Sequence, residues 1–375
     1  MSETFLSDYI RLEREGTLNP KRVLRNFFVE HLAVDLGTVN TLIYVPGQGI
    51  ILNEPSVVAL EKHSKEVISV GRPAQKLLGR EPRNIEVHRP MRNGTIDNFE
   101  VAQKMLKTFL KLARGGRHRR SHLVIGVPGS STTIEQRSIR EAARDARAGR
   151  VDLLDEGLAA AAGAGINLED EHAHLVVDIG GGTTNIALIA SGGVISSRSL
   201  PVAGNAMDEA IRDYVRVKHS IQIGECTAER IKRELGTADE SSGSNARMEV
   251  VGKQLTNGSG LAVEINADEV REALQPALSE MIEAIHSVIE AAPPEVTADI
   301  YYSEVILTGG GSLLKGMPER LHHELNLKIK LSEDPLSAVA VGGGRLLEEP
   351  EKLQRAVIRQ DVNVWEGSQE LVVNW

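Results

Sequence analysis

The fold of this chain is decided by the stretch Leu175-Val176-Val177-Asp178-Ile179-Gly180-Gly181-Gly182-Thr183-Thr184. Its apolar first part is typical of a buried strand, and it runs into an aspartate, a glycine turn and paired threonines. The same plan occurs over Leu32–Thr41, where Asp35 precedes Asp178 by 143 residues. A repeat of this kind predicts two similar halves, each containing a glycine-turn hairpin.

A third glycine run, Thr308-Gly309-Gly310-Gly311-Ser312, follows the strand pattern Val305–Leu307. Glycines after a strand let backbone N–H groups approach an anion closely, and a nearby aspartate is suited to holding hydrated Mg²⁺. Either Asp-x-Gly hairpin alone also fits a plain tight turn, but two in corresponding positions are less expected by chance. We therefore predict a cleft between two lobes, in which both hairpins grip a triphosphate. The Gly-x-x-x-x-Gly-Lys-Ser/Thr string of a P-loop does not occur.

Length, charge and cysteine content limit the classes of protein that fit. A chain of 375 residues predicts two or three lobes, since one domain commonly has roughly 100–200 residues. The formal net charge of −9 disfavours binding to nucleic acid, which requires cationic neutralisation of phosphates. Cys226 is the only cysteine, which excludes an intramolecular disulfide. Without a signal-peptide pattern or a long apolar stretch, the sequence predicts a cytoplasmic protein.

Strand and helix patterns alternate along the chain, which is typical of an α/β fold. We expect one helix after Asp97 as its N-cap and a long amphipathic helix over Asp268–Ala292. Past Ala206 the patterns predict mainly helices, interrupted by a mobile polar surface loop over Thr237–Arg247.

Longer strings around these motifs resemble the MreB family of bacterial actin homologues in order and spacing, between Leu32 and Leu347. The strings are Asp35–Tyr44, Asn53–Ala59, Arg89–Met91, Asp178–Thr184 and Leu307–Leu314. The resemblance implies an α/β actin-like ATPase fold, with two duplicated lobes around a nucleotide cleft and a smaller subdomain inserted in each lobe.

The same resemblance divides the chain into four parts. They are an N-terminal amphipathic extension (1–30), a first lobe (31–170) with a small subdomain at about 53–93, a second lobe (171–347) with a small subdomain at about 207–268 and the adenosine motif, and a C-terminal tail (348–375). We predict no function for the tail.

The resemblance implies ATP and Mg²⁺ as the bound groups. Asp35 and Asp178 would organise the Mg²⁺ through its waters. The nucleotide-binding residues that match the family motifs are Thr38, Val39, Asn40, Gly181, Gly182, Thr183 and Thr184 at the phosphates, and Glu229, Lys232, Gly309, Gly310, Gly311 and Ser312 at the adenosine.

The hydrolytic residue implied by the family pattern is Glu156, with Asp178 as the second catalytic residue. A carboxylate at this place is suited to orienting the attacking water and accepting its proton. The other interpretation of Glu156 is a helix N-terminal carboxylate favoured by the helix dipole. Gly157 replaces the proline usual in the family and Asn185 replaces the usual glutamate, so the sequence leaves open whether hydrolysis is impaired.

The N-terminal extension carries a candidate membrane segment. Its apolar helical face consists of Val23, Leu24, Phe27 and Phe28, and basic side chains lie on another face. This pattern suits a helix lying in a bilayer interface with its cations toward lipid headgroups. A helix docked on its own domain, or one at a subunit contact, fits the same pattern.

Taken together, the motifs predict an ATPase that polymerises into membrane-associated filaments, for cell-shape determination and the guidance of cell-wall synthesis. The predicted partners are further copies of the chain, the inner face of the cytoplasmic membrane and cell-shape or cell-wall synthesis membrane proteins. Two alternatives share the fold: an organelle-positioning filament of the MamK type and an ATP-dependent small-molecule kinase. The longer strings favour the first prediction.

Overall fold

The computed structural model describes residues 29–114, 120–239 and 246–358. The candidate membrane residues Val23, Leu24, Phe27 and Phe28, and most of the C-terminal tail, lie outside these ranges. The strands are β1 (Val29–Leu36), β2 (Asn40–Val45), β3 (Gly49–Pro55), β4 (Val58–Glu61), β5 (Val67–Val70), β6 (Ile85–His88), β7 (Met91–Arg92), β8 (Thr95–Ile96), β9 (Arg120–Val127), β10 (Arg150–Asp155), β11 (His174–Ile179), β12 (Thr184–Ala190), β13 (Gly193–Leu200), β14 (Ile221–Gln222), β15 (Arg247–Gln254), β16 (Gly260–Asn266), β17 (Glu304–Thr308) and β18 (Lys328–Leu331).

Helices connect and cover these strands. They are α1 (Arg72–Gln75), α2 (Phe99–Ala113), α3 (Thr133–Asp145), α4 (Glu156–Gly163), α5 (Gly204–His219), α6 (Glu225–Leu235), α7 (Ala267–Glu290), α8 (Pro294–Tyr302), α9 (Met317–Leu325), α10 (Ala338–Glu348) and α11 (Pro350–Ala356), with a 3₁₀ helix over Gly310–Leu313.

Two five-stranded sheets repeat one topology. The first has the order β10-β9-β1-β2-β3 and the second the order β18-β17-β11-β12-β13. In each sheet a three-stranded antiparallel meander is extended by two parallel strands, β9 and β10 or β17 and β18. The predicted duplication is therefore confirmed. It places the two aspartates, Asp35 and Asp178, near the carboxyl ends of corresponding strands, β1 and β11.

The helices α4 and α10 lie between the two sheets and join them. Each follows the last parallel strand of its sheet, and alanines of α4 form one buried cluster with Val339 and Leu346 of α10 and with residues of both sheets. Small side chains allow the helices to approach closely, and Arg345 donates a hydrogen bond to the carbonyl oxygen of Ala162 over 2.6 Å. This packing holds the two sheets in a fixed position relative to each other.

The start of α2 corrects one expectation. Its N-cap is Asn98, whose side chain accepts a hydrogen bond from the backbone N–H of Val101 over 3.1 Å. Asp97 instead uses its backbone N–H to reach the carbonyl oxygen of Pro90 over 2.9 Å, so it remains in the preceding loop. The long helix is confirmed as α7, where Asn266 and Glu269 form a capping box.

The described region past Ala206 is mainly helical, as predicted, but it also contains strands that the sequence did not indicate. Strands β14, β15 and β16 form a small sheet there, while β4, β5 and β6 form a small sheet in the first half. Strand β15 buries only alternate positions such as Val250, and its charged opposite face resembles a polar loop in the sequence. Thr237, at the start of the predicted surface loop, is buried and only 3% exposed; residues 240–245 lie outside the described ranges.

Candidate functional site in the cleft

A cavity of about 880 Å³ opens between the two main sheets. The carboxyl ends of β1 and β11, the loop after β17 and the first turn of α4 meet at it. Its lining includes most of the residues singled out from the sequence, namely Asp35, Thr38, Val39, Asn40, Glu156, Asp178, Gly181, Gly182, Thr183, Glu229, Lys232, Gly309, Gly310 and Gly311. The three glycine motifs therefore share one cavity, as the sequence predicts.

The first and second hairpins touch each other across this cleft. A Cβ atom on Gly181 would overlap with the side chain of Val39, and one on Gly182 would overlap with Thr38. Only glycines allow this approach, and they leave backbone N–H groups without side-chain cover. Thr38 is held by the backbone N–H of Gly94, which donates to its Oγ1 over 2.9 Å. The arrangement is suited to enclosing an anion from two sides.

Two of the singled-out hydroxyl residues do not line the cavity. Thr184 is fully buried and donates from Oγ1 to the carbonyl oxygen of Val202 over 2.7 Å. Ser312 donates from Oγ to the carbonyl oxygen of Gly309 over 2.6 Å. Their side chains fix the loops that follow the strands, so a direct contact with a nucleotide remains a prediction.

Asp35, which is half-buried, and Asp178, which is buried, line the cleft from the two halves of the chain. Burial, and secondarily the negative charge of Asp178, raises the pKa of Asp35 to about 7. Burial raises the pKa of Asp178 to about 6, against the opposing effect of Thr308, which donates to Asp178 Oδ1 over 2.8 Å. Two desolvated acids of like charge are an unfavourable arrangement without a cation. Their oxygen donors fit a hydrated Mg²⁺ beside polyphosphate.

Glu156 is the first residue of α4 and lines the cavity. Asp155 caps the helix by accepting from the backbone N–H of Leu158 over 3.0 Å, which directs the next side chain inward. Burial raises the pKa of Glu156 well above its usual value, and the charges of nearby aspartates add to this effect. Asn185 opposes it by donating from Nδ2 to Glu156 Oε2 over 2.6 Å. The sequence did not predict this contact, which joins an element of each half.

Two of the adenosine-side residues, Glu229 and Lys232, lie on α6. Lys232 pairs with Asp208 over 2.9 Å and donates to the carbonyl oxygen of Gly204 over the same distance. Sequence reasoning missed Asp208. It also missed an ion pair across the cleft, between Arg89 of the first half and Glu225 of α6 at 3.3 Å. The signal for this pair was available, because Arg89 belongs to one of the strings that resemble the family.

Two duplicated α/β lobes with glycine hairpins and buried acids at their common cleft define the actin-like ATPase fold. The family model described as MreB/Mbl protein matches residues 29–355. This chain belongs to the MreB/Mbl family. It is 44% identical over 331 residues to the cell shape-determining protein MreB of Escherichia coli strain K12, covering 86% of this chain and 95% of that protein.

Two further comparisons agree. The cell shape-determining protein Mbl of Bacillus subtilis strain 168 is 40% identical over 329 residues, covering 88% of this chain and 98% of that protein. A crystal structure of MreB5 of Spiroplasma citri bound to AMPPNP is 32% identical with a TM-score of 0.82, covering 87% of this chain and 98% of that one. A second structure of MreB5 is bound to ADP.

Across residues 29–114, 120–239 and 246–358, none of the helices is both long and apolar enough to cross a membrane.

Proposed function

We propose that this chain binds Mg-ATP in the cleft, hydrolyses it, and assembles with further copies of itself into filaments that determine cell shape. The observation that carries the proposal is the convergence of both glycine hairpins, Asp35, Asp178 and Glu156 on one cavity. The chain's relatives at 44% and 40% identity are both named cell shape-determining proteins, which supports the cellular role. Sedimentation of the purified chain with and without nucleotide tests the proposal.

Different residues of the cleft would contact the phosphates, the Mg²⁺ and the nucleoside. The turn residues Thr38–Asn40 and Gly181–Thr183 would hold the phosphates through backbone N–H groups and the hydroxyls. Asp35 and Asp178 would hold Mg²⁺ and its waters, and the cation would relieve the repulsion between these two acids. Glu229, Lys232 and Gly309–Gly311 would contact the nucleoside. Mg²⁺, when bound, supplies neutralisation of the polyphosphate charge.

Hydrolysis is assigned to Glu156. Its side chain lines the same cavity as both glycine hairpins and is suited to orienting a water and accepting its proton. Burial places the group in a low-dielectric site, where such an acceptor acts more strongly than in bulk water. Asp178 supports the reaction by holding the cation.

Closure of the lobes would couple the nucleotide to assembly. The ion pair between Arg89 and Glu225 spans the cleft and shows that side chains of both halves meet there. A ligand held by both hairpins stabilises the arrangement in which they are close, and thus shifts the population toward one conformation. Family membership favours this function over a small-molecule kinase, and the cell-shape relatives favour it over an organelle-positioning filament of the MamK type.

We also propose that the filaments attach to the inner face of the cytoplasmic membrane through the N-terminal extension, where cell-shape or cell-wall synthesis membrane proteins would be partners. Deleting residues 1–28, which ends just before β1, is expected to abolish flotation with anionic liposomes and to leave ATP binding intact. Burying one phenylalanine contributes roughly 1.5–3 kcal/mol and each nearby cation about 1 kcal/mol. Many subunits in one filament multiply this attachment.

A double substitution of Phe27 and Phe28 with serine tests the same idea without changing the charge. The matched control is Asn26→Ser, which removes no apolar side chain and should float like the unaltered chain. Flotation of the deleted chain together with the liposomes would show that the attachment lies elsewhere.

A further inference from the structure

Asn185 occupies a central place in the second main sheet. It lies on β12, opposite Asp178 of β11 and Ser199 of β13, and is only 4% exposed. Ser199 donates from Oγ to Asn185 Oδ1 over 2.6 Å, while Asn185 Nδ2 donates to Glu156 Oε2 over 2.6 Å. Because its oxygen accepts from Ser199, the NH₂ group of the amide is directed at Glu156. The three side chains form one chain of hydrogen bonds.

The surroundings of Glu156 are otherwise negatively charged. Asp35, Asp178 and Asp155 face it from the ends of β1, β11 and β10, and their charges act against its ionised form. An amide adds a donor to this group of acids and adds no charge. A carboxylate at position 185, as is usual in the family, would add a further negative charge at this place. The neutral amide of Asn185 therefore donates a hydrogen bond to the Glu156 carboxylate without adding to the negative charge around it.

Gly157 explains how the contact is made. A Cβ atom on this residue would overlap with the Cβ atom of Ala187, two residues beyond Asn185 on the same strand. Glycine thus lets the first turn of α4 lie directly against β12. Any side chain at this position would push α4 away and lengthen the contact between Glu156 and Asn185. The two departures from the family pattern are therefore parts of one contact.

We propose that Asn185, oriented by Ser199, is a positioning residue that holds the Glu156 carboxylate for hydrolysis, and that Gly157 provides the close approach this requires. The inference rests on the proposed ATPase function. A positioning residue acts on the chemical step, so its loss lowers kcat and leaves the KM for ATP nearly unchanged.

The test compares Ser199→Ala, Ser199→Thr and Asn185→Asp in steady-state phosphate release by the whole chain. Ser199→Ala leaves the amide free to turn, and Asn185→Asp removes the donor. Both are expected to lower kcat roughly 10- to 100-fold, the scale of loss when a reacting group is misplaced. Ser199→Thr keeps the hydroxyl group that donates to Asn185, so this variant should retain most of the kcat of the unaltered chain. Equal melting temperatures would show that these variants fold alike.

A second arm uses Gly157→Ala, which should lower kcat in the same manner because the added methyl group separates α4 from β12. Unchanged kcat in both Ser199→Ala and Asn185→Asp, in a chain whose hydrolysis requires Glu156, would overturn the positioning role alone. A rise in KM without a fall in kcat would overturn it too. Absence of phosphate release from the unaltered chain would overturn the ATPase function, and this inference with it.

Discussion

Replacing Glu156 with glutamine is expected to leave Mg-ATP bound and to slow phosphate release about 10²-fold or more, the usual contribution of a positioned general base. Glutamine keeps the size of the side chain and an oxygen that accepts from Asn185, so the packing of α4 is retained. What is lost is the ability to accept a proton from water. Single-turnover phosphate release measures the rate, and calorimetry measures the affinity for ATP.

This substitution also separates the two interpretations of Glu156. If the carboxylate serves only the dipole of α4, its loss changes stability by roughly 0.3–1 kcal/mol and leaves the rate of hydrolysis unchanged. Glu135→Gln is the matched control, since Glu135 is the first-turn acid of α3, is half-exposed, and does not line the cavity. An unchanged rate in Glu156→Gln would remove Glu156 from the hydrolytic role.

Replacing Asp35 with asparagine is expected to have two opposite effects. It should weaken binding of Mg-ATP roughly 10- to 100-fold, because a hydrogen bond to a charged group contributes about 1.5–3 kcal/mol. It should also stabilise the nucleotide-free protein, since the buried charge beside Asp178 is removed. The pKa of Asp35 is about 7 in the folded protein, above the usual value of 3.8.

The sign of the pH dependence follows from this raised pKa. Below about pH 4 Asp35 is protonated in the folded and unfolded chain alike, so the charge costs no stability there. The destabilisation by the charged Asp35 grows as the pH rises from about 4 to about 7, and it is fully present above pH 7. The gain in unfolding free energy of Asp35→Asn, measured in urea without nucleotide or Mg²⁺, should therefore be larger at pH 8 than at pH 5.

Asp213→Asn is the control for the second prediction, because Asp213 is an exposed residue of α5 paired with Arg216 on the surface. It should change neither ATP affinity nor stability measurably. A loss of stability in Asp35→Asn at pH 8, or unchanged affinity for Mg-ATP, would contradict the account of the cleft acids.

The local parts of this structure could be predicted from the sequence. Both hairpins and the third glycine run were predicted, because each is an apolar strand pattern followed directly by a polar residue and glycines. The directions of the hydroxyl groups were harder to predict. Thr183 lines the cavity, whereas Thr184, the next residue and the first of β12, donates to the carbonyl oxygen of Val202. Side chains alternate along a strand, and the sequence alone does not fix which of two threonines faces the cleft.

Contacts between distant elements could not be predicted. The contact of Asn185 with Glu156 requires both the register that places Asn185 beside Ser199 and the approach of α4 to β12. In the sequence, Asn185 is only a departure from the family pattern. The pair formed by Arg89 and Glu225 also depends on how the two halves face each other across the cleft.

The most direct test of the proposed function is sedimentation of the purified chain with Mg-ATP, with Mg-ADP and without nucleotide, followed by electron microscopy of each pellet. We predict filaments in the pellet with Mg-ATP, in larger amount than without nucleotide, because the nucleotide stabilises the arrangement of the lobes that assembles. Protein that stays in the supernatant in all three states, and that transfers phosphate from ATP to a small metabolite instead, would contradict the account and favour the kinase alternative.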